Sequence, residues 1–181
     1  MKQQPKILFS DKWFDIVDMN GHVGMKSKSM SVAVMPYTTD KNGMVEEIGL
    51  LHEYNQFREG DYCDTLITGT VEYEDDSLLF TAIRELKEEG GIEMSDAESE
   101  KFIFLGTIYP LKDSDKIIPI FAVDVTGKDI NKPQGDGSKK EELSKFAMTK
   151  VGDGLISDEA LVLSAFLRLF NYMYAKSMNH V

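Results

Sequence analysis

Residues 81–92 read TAIRELKEEGGI, and this stretch decides the fold because it marks a helix and the point where that helix ends. Around it, apolar residues recur at the i, i+3, i+4, i+7 spacing of a buried helical stripe. The stripe consists of Leu79, Ala82, Ile83 and Leu86. Ser77 is placed to cap the start of the helix, and Gly90–Gly91 to end it. The pattern predicts an amphipathic helix followed by a tight turn.

Three glutamates, Glu85, Glu88 and Glu89, are neighbours on one side of this helix because residues three and four apart lie side by side. One interpretation is a solvated face in which Arg84 and Lys87 offset the acids, at about 0.2–0.5 kcal/mol for each favourable pair. The other interpretation is a cation site. Three carboxylates repel one another, and the dipole of the last helical turn disfavours anions. A hard divalent ion such as Mg²⁺ would offset that cost, since it prefers oxygen ligands.

Strand-like runs lie on both sides of the predicted helix. They cover residues 29–37, 48–54, 62–68, 102–109 and 117–125. A second amphipathic helix is predicted over Asp158–Met173, and residues 143–151 fit either a short strand or a helical turn. Because strands come before, between and after two helices, the sequence predicts an α/β (α+β) fold in which helices sandwich a mixed sheet.

The amino-terminal segment predicts an extension to this fold. Asn20–Gly21 lies between two short alternating runs within residues 12–25, which is the pattern of a tight β-hairpin. We therefore expect a β-hairpin extension in residues 1–28 and one main domain in residues 29–181.

The composition narrows the classes of function. The chain of 181 residues is 42% hydrophobic, which is enough to bury one core, and its formal net charge is −11. Such an acidic chain is not expected to bind DNA or anionic membranes, which attract clustered Lys and Arg. Its one cysteine, Cys63, cannot form an internal disulfide, and no apolar run reaches the roughly 18 residues of a membrane helix. The sequence predicts a cytoplasmic protein with a small ligand.

The stretch from residue 69 to residue 92 resembles the Nudix box, GX5EX7REUXEEXGU, in which U is aliphatic. Residues 84–92, RELKEEGGI, match the second half of the box at each of its specified positions. Weaker similarity to the ADP-ribose pyrophosphatases extends over residues 29–170 and includes LGTIYP at 105–110. The resemblance implies a Nudix-type α/β/α sandwich with a mixed β-sheet.

The first half of the box departs from the family pattern. Counting back from Arg84 places the box glutamate on Asp76 and the box glycine on Thr70. A one-residue insertion within residues 73–75 would restore Gly69 to the glycine position. In the family that first glutamate supports the loop and the helix through the arginine. The resemblance therefore implies that Asp76 has this role.

The resemblance also implies a metal site. Glu85, Glu88 and Glu89 would bind Mg²⁺, for which Mn²⁺ could substitute. The backbone carbonyl of Gly69 would be a further ligand, and Arg84 would orient the acids. Nudix enzymes use two or three such ions to hydrolyse a nucleoside diphosphate linked to another group. The expected substrate is ADP-ribose or a similar nucleotide sugar.

The catalytic base in this family is an additional carboxylate, placed within the box or on a later loop. Within the box, Glu88 or Glu89 could serve as this base. On the later polar loop, Glu141 or Glu142 could serve, although a solvated run of charges beside two lysines explains that pair equally well.

Three further residues are candidates for substrate binding. Arg58 could replace an arginine that the ADP-ribose pyrophosphatases carry where this chain has Asn55. Trp13 and Phe14 could stack on a base, as amino-terminal aromatics do in some relatives, although hydrophobic anchoring explains them too. The resemblance also suggests a homodimer formed through the amino-terminal hairpin.

Two alternatives to this function stay open. The first is a Nudix-fold module that binds nucleotides without hydrolysing them, which Asp76 and the shifted glycine would explain. The second is a Nudix hydrolase for another substrate, such as a dinucleoside polyphosphate, capped RNA or a nucleoside triphosphate.

Overall fold

The computed structural model of the protein describes residues 4–55, 62–133, 144–154 and 157–178. Within these residues the chain forms a seven-stranded mixed sheet, with helices on both faces, and a separate three-stranded sheet at the amino-terminal end. The strands are β1 Lys6–Ser10, β2 Phe14–Met19, β3 His22–Ser27, β4 Ser31–Thr39, β5 Val45–Tyr54, β6 Tyr62–Thr65, β7 Ile67–Thr70, β8 Phe102–Ile108, β9 Ile118–Asp124 and β10 Lys145–Lys150. The α-helices are α1 Leu78–Glu88, α2 Val151–Gly154 and α3 Ala160–Met178, and a 3₁₀ helix spans Asp96–Lys101.

The main sheet has the strand order β10-β5-β4-β9-β8, in which β4 and β9 are parallel and the other pairs are antiparallel. Strand β4 has different partners at its two ends. Its residues 31–34 pair with β7, and its residues 37–39 pair with β5. Strand β6 pairs with β5 just before the chain continues into β7. The segment from β6 to β7 therefore crosses from β5 to β4, and it ends at the strand against which α1 packs.

Alternate residues of β4 build two cores, because successive side chains of a strand point to opposite faces. The core on the α1 side includes Val32, Val34, Ala82 and Leu86. The core on the α3 side includes Ala33, Met35, Val162 and Leu169. All eight side chains are inaccessible to solvent. The predicted α/β/α sandwich is therefore confirmed, and β4 contributes side chains to both cores.

The amino-terminal sheet contains the predicted hairpin. Asn20 and Gly21 connect β2 to β3 with positive φ angles of 58° and 86°, the combination that a two-residue type I′ turn requires. Strand β1 adds a third strand that the sequence did not predict, because all five of its residues are exposed and carry no burial pattern. A hydrogen bond of 2.8 Å from the Met25 amide to the Asp113 carbonyl ties this sheet to the main part of the chain.

The carboxyl-terminal elements decide whether residues 143–151 form a short strand or a helical turn. Residues 145–150 form β10, which pairs with β5, and a helical turn follows directly as α2. Helix α3 continues beyond the predicted end at Met173 to Met178. None of the helices in the described ranges is long and apolar enough to cross a membrane.

Candidate active site

Helix α1 begins and ends as its sequence predicts. The side-chain oxygen of Ser77 accepts a hydrogen bond of 3.1 Å from the Phe80 amide and so caps the first turn. At the other end Gly91 has a φ of 65°, a left-handed conformation that favours glycine. The Ile92 amide then donates back to the Leu86 carbonyl at 3.3 Å. These two ends place the three glutamates in and just after the last turn of the helix.

Glu85 is the innermost of the three glutamates, with only 7% of its surface exposed. Its carboxylate lies directly against Gly69 of β7, in the space that a Cβ atom at residue 69 would occupy. Glycine at this position is therefore a steric requirement for the contact between β7 and α1.

Arg84 joins the helix, the preceding loop and β7. Its Nη1 donates to Glu85 at 2.7 Å and to Glu88 at 3.0 Å. Its Nη2 donates to the Thr70 carbonyl at 3.0 Å and to Asp75 at 3.1 Å. Burial disfavours the charge of Arg84, but the hydrogen bond to Asp75 and the neighbouring carboxylates raise its pKa above the usual value. Arg84 is thus a permanent cation within the acidic turn.

Asp75 is the carboxylate that anchors the loop to Arg84. Its side chain is 2% exposed, and it accepts hydrogen bonds from the Glu72 amide at 2.9 Å and the Thr81 hydroxyl at 2.8 Å as well as from Arg84. The hydrogen bond from Arg84 lowers the pKa of Asp75 to about 2, although burial acts in the opposite direction. Asp75 therefore stays ionised and holds the loop against the start of α1.

The prediction that Asp76 fills the acidic position of the box was wrong. Asp76 is exposed, and Arg84 binds Asp75 instead. Gly69 and Asp75 keep the GX5E spacing of the box, with aspartate in place of glutamate. The extra residue lies between Asp75 and Arg84, and not within residues 73–75. Counting forward from Gly69, instead of back from Arg84, would have found Asp75.

The other two glutamates are more accessible. Glu89 is half-buried and accepts a hydrogen bond of 3.3 Å from the Thr68 amide of β7. Glu88 has 37% of its side chain exposed and is paired with Arg84. Glu89 and Glu85 therefore contact β7 directly, whereas Glu88 is paired with Arg84, which itself donates to the Thr70 carbonyl of β7.

The donor atoms of this turn suit a hard divalent ion, because they are carboxylate oxygens. In the parts of the chain that the structure describes, however, no three acidic, histidine or cysteine side chains are close enough together to hold a metal ion. Near α1, Nη1 of Arg84 lies between Glu85 and Glu88 and donates to both. Each of these hydrogen bonds uses one oxygen of its carboxylate, so a metal ion at this turn and Arg84 could bind different oxygens of the same side chain.

The predicted substrate-binding aromatics lie in the amino-terminal sheet, Trp13 in the turn between β1 and β2 and Phe14 at the start of β2. Trp13 is 53% exposed, and the Lys12 ammonium lies 4.5 Å from the centroid of its ring. Phe14 is half-buried, with its ring 6.1 Å from that of Phe9. These contacts are with neighbours in the amino-terminal segment. The other predicted residues, which lie outside the described residues, are Arg58, Glu141 and Glu142.

Comparison with known proteins supports this fold. No protein-family model and no curated protein sequence matches the chain. The crystal structure of an ADP compounds hydrolase matches over 97% of this chain and 97% of that one, with a TM-score of 0.64 and 18% identity. A structure of MutT, from the psychrophilic fish pathogen Aliivibrio salmonicida and the mesophile Vibrio cholerae, matches over 77% of this chain and 98% of that one, with a TM-score of 0.50 and 17% identity.

These two likenesses establish the class of fold. The chain has the fold of the Nudix superfamily, as the resemblance of residues 69–92 predicted. At 17–18% identity the likeness is one of architecture. The chemistry of the chain is argued below from its own residues.

Replacement of Asp75 by asparagine should lower the free energy of unfolding by about 2 kcal/mol, because it removes a charged acceptor from Arg84. The matched control is Asp76→Asn on the exposed neighbour, which should change that free energy by less than about 0.5 kcal/mol. Urea unfolding followed by circular dichroism measures both variants. Equal losses in the two variants would contradict the role of Asp75.

The ion pair of Asp75 also gives stability a pH dependence of defined sign. The pKa of Asp75 is about 2 in the folded chain, below its ordinary value of 3.8. Its contribution is therefore fully present above about pH 4 and is lost as the pH falls towards about 2. We expect the difference in unfolding free energy between the wild type and Asp75→Asn to shrink over this window. A difference that stays constant across it would count against the ion pair.

Proposed function

We propose that the chain is a Mg²⁺-dependent hydrolase that cleaves the diphosphate of a nucleoside diphosphate linked to another group. The observation that carries this proposal is the packing of the acidic turn of α1 against β7. Glu85 and Glu89 both contact β7, at Gly69 and Thr68 respectively. Carboxylates in the last turn of a helix cost stability. Binding of a metal ion and a diphosphate would offset that cost.

The residues of the turn would have separate roles in the proposed hydrolysis. Mg²⁺ bound by Glu85, Glu88 and Glu89 would neutralise charge on the diphosphate and lower the pKa of a bound water. Arg84 would orient Glu85 and Glu88 through Nη1 while Nε and Nη2 hold Asp75 and the Thr70 carbonyl. The turn would then hold its position on β7 while its carboxylates bind the metal ion. Glu88 or Glu89 would accept the proton of the attacking water.

ADP-ribose or a similar nucleotide sugar is the substrate that we favour. The ADP compounds hydrolase matches nearly the whole chain, including the amino-terminal sheet. A second support is a half-buried apolar surface that borders the core on which α1 packs. Helix α1 packs on β4, β7 and β9, and the half-buried Phe146 and Met148 of β10 border the same core. The Phe146 ring is so close to Gly49 that a Cβ there would lie 2.7 Å from it. A planar base could pack on this surface.

One of the reasons for the alternative, a nucleotide-binding module, no longer holds. Gly69 and Asp75 have the family spacing, so the shifted glycine no longer argues for it. The pairing of Arg84 with Glu85 and Glu88 does not separate the two functions, because the resemblance expects Arg84 to orient these acids in the hydrolase too.

One experiment separates the two functions. The protein would be incubated with Mg²⁺ and a panel containing ADP-ribose, other nucleotide sugars, dinucleotides, capped RNA and nucleoside triphosphates. A phosphatase would then release phosphate from any product. We expect the fastest turnover on ADP-ribose and none when the Mg²⁺ is chelated.

Two results would revise the proposal. Turnover of another member of the panel would keep the hydrolase and change its substrate. If no compound is turned over, the hydrolase is excluded, and calorimetric titration with ADP-ribose would then test for binding alone.

A further inference from the structure

A row of three polar side chains crosses neighbouring strands of the main sheet. It consists of Thr38 of β4, Glu47 of β5 and Lys150 of β10, and we call it the polar row. Glu47 is directly opposite Thr38 on one side and directly opposite Lys150 on the other. Because residues that face each other across antiparallel strands share a side of the sheet, the three side chains lie next to one another.

The polar row lies on the same face of the sheet as α1. Val34 of β4 belongs to the core beneath α1, and Thr38 lies four residues later, on the same side of the strand. Met148 of β10 borders the same core, and Lys150 lies two residues later. The polar row therefore continues the face that carries the acidic turn.

The side chains of the polar row have hydrogen-bonding capacity to spare. Across the described ranges, the Thr38 hydroxyl oxygen is enclosed and has no hydrogen-bond partner. Glu47 is half-buried and Lys150 is exposed, and in those same ranges they form no ion pair with each other or with another side chain. Enclosed polar groups normally have a partner, and where the chain provides none it is a water or a ligand. The row therefore offers one acceptor and one donor to a ligand.

An apolar floor adjoins the polar row. The Phe146 ring lies over Gly49, where a Cβ would be 2.7 Å from the ring and 3.0 Å from the Cγ of Pro36. Met148 is directly opposite Gly49 on β10. Phe146 and Met148 are both half-buried, so part of each side chain can contact a ligand. Apolar area next to a few polar groups is the usual composition of a site for a planar ring.

The polar row is far enough from the acidic turn to leave room for a diphosphate. Val32 of β4 is directly opposite Gly69, which contacts Glu85. Thr38 lies six residues after Val32, which is about 20 Å along a strand. Strands β5 and β7 pair with the same edge of β4, since β9 pairs with the other edge. A nucleotide can extend along this edge with its diphosphate at the acidic turn and its base at the polar row.

We propose that the polar row selects an adenine base in the substrate. The base packs on Phe146 and Met148. Glu47 accepts a hydrogen bond from the 6-amino group, and Lys150 donates one to the ring nitrogen beside it. Adenine has such a donor next to an acceptor, whereas guanine has an oxygen in place of that amino group. The inference rests on the proposed function, because it assigns the base of that function's substrate.

Calorimetric titration with AMP tests the proposal apart from hydrolysis, because AMP has no diphosphate bond. The comparison ligand is purine riboside 5′-monophosphate, in which hydrogen replaces the 6-amino group. The wild type should bind AMP about tenfold more tightly, the discrimination that hydrogen bonds to a base edge provide. Glu47→Ala should bind the two ligands equally, and Glu47→Gln, whose amide oxygen still accepts, should keep part of the preference. Circular dichroism would verify the fold of both variants.

The matched control is Glu46→Ala, which removes the same charge from the opposite face of β5. This variant should keep the wild-type preference for AMP. A wild type that binds both ligands equally, binds neither or prefers GMP would overturn the proposal, and so would a preference that survives in Glu47→Ala.

The polar row and the hydrolase can fail separately. If ADP-ribose and its 6-deamino analogue are hydrolysed with the same kcat/KM, the polar row is excluded and the hydrolase stands. If no compound is hydrolysed but the preference for AMP depends on Glu47, the polar row stands and the hydrolase is excluded.

Discussion

Replacement of Glu89 by glutamine should lower kcat on the best substrate by about 10²–10⁴-fold, the usual contribution of a catalytic acid or base. The amide is neutral, so it can neither accept a proton from water nor bind a divalent ion as the carboxylate would. Its oxygen can still accept the hydrogen bond from the Thr68 amide, so the fold should be unchanged. Steady-state kinetics and thermal unfolding of the same preparation measure the two effects.

The control for this variant is Glu46→Gln, which makes the same chemical change on an exposed residue of β5. It should leave both kcat and the unfolding temperature unchanged. A wild-type rate for Glu89→Gln would show that the acidic turn of α1 does not carry the reaction.

Replacement of Gly69 by alanine should affect stability and activity together. Its Cβ would overlap the Glu85 carboxylate, so Glu85 must leave its place or β7 and α1 must separate. Overpacking of this kind costs about 1–3 kcal/mol of unfolding free energy. Because Glu85 moves in either case, we expect turnover to fall even in the fraction of molecules that remain folded. Urea unfolding and kinetics below the unfolding transition would measure the two losses.

Gly152→Ala in α2 is the matched control, since a Cβ at residue 152 would contact nothing within 4 Å. It should be neutral or raise the unfolding free energy by up to about 1 kcal/mol, because alanine reduces the entropy of the unfolded chain. Similar losses at residues 69 and 152 would contradict the close contact between Gly69 and Glu85.

The elements that depend on burial could be predicted from the sequence, and those that depend on pairing could not. Strand β9 was predictable because its residues are almost all apolar, and it lies inside the sheet between β4 and β8. Strand β1 was missed because all five of its residues are exposed, so its sequence has no burial pattern, and its position depends on pairing with β2. The sequence left residues 145–150 as either a strand or a helical turn, because the strand depends on pairing with β5.

The candidate site shows the same division. The sequence of residues 77–92 predicted the helix, its caps and a shared side for the three glutamates, because residues three and four apart in a helix lie side by side. The acidic partner of Arg84 could not be found by counting from the helix. Residues 71–77 have no regular period, and Asp75 reaches Arg84 through the path of that loop.

The extra residue between Asp75 and Arg84 shows that the contacts of this site do not require a fixed loop length. The carboxylates are placed by contacts across space, from Gly69 to Glu85 and from Asp75 to Arg84, and not by the number of bonds between them. One residue more than the family spacing separates Asp75 from Arg84, and both contacts are made in spite of it. A motif written as fixed residue counts describes the covalent path. It therefore does not match a chain in which one residue has been added to that path, even when the contacts of the site are kept.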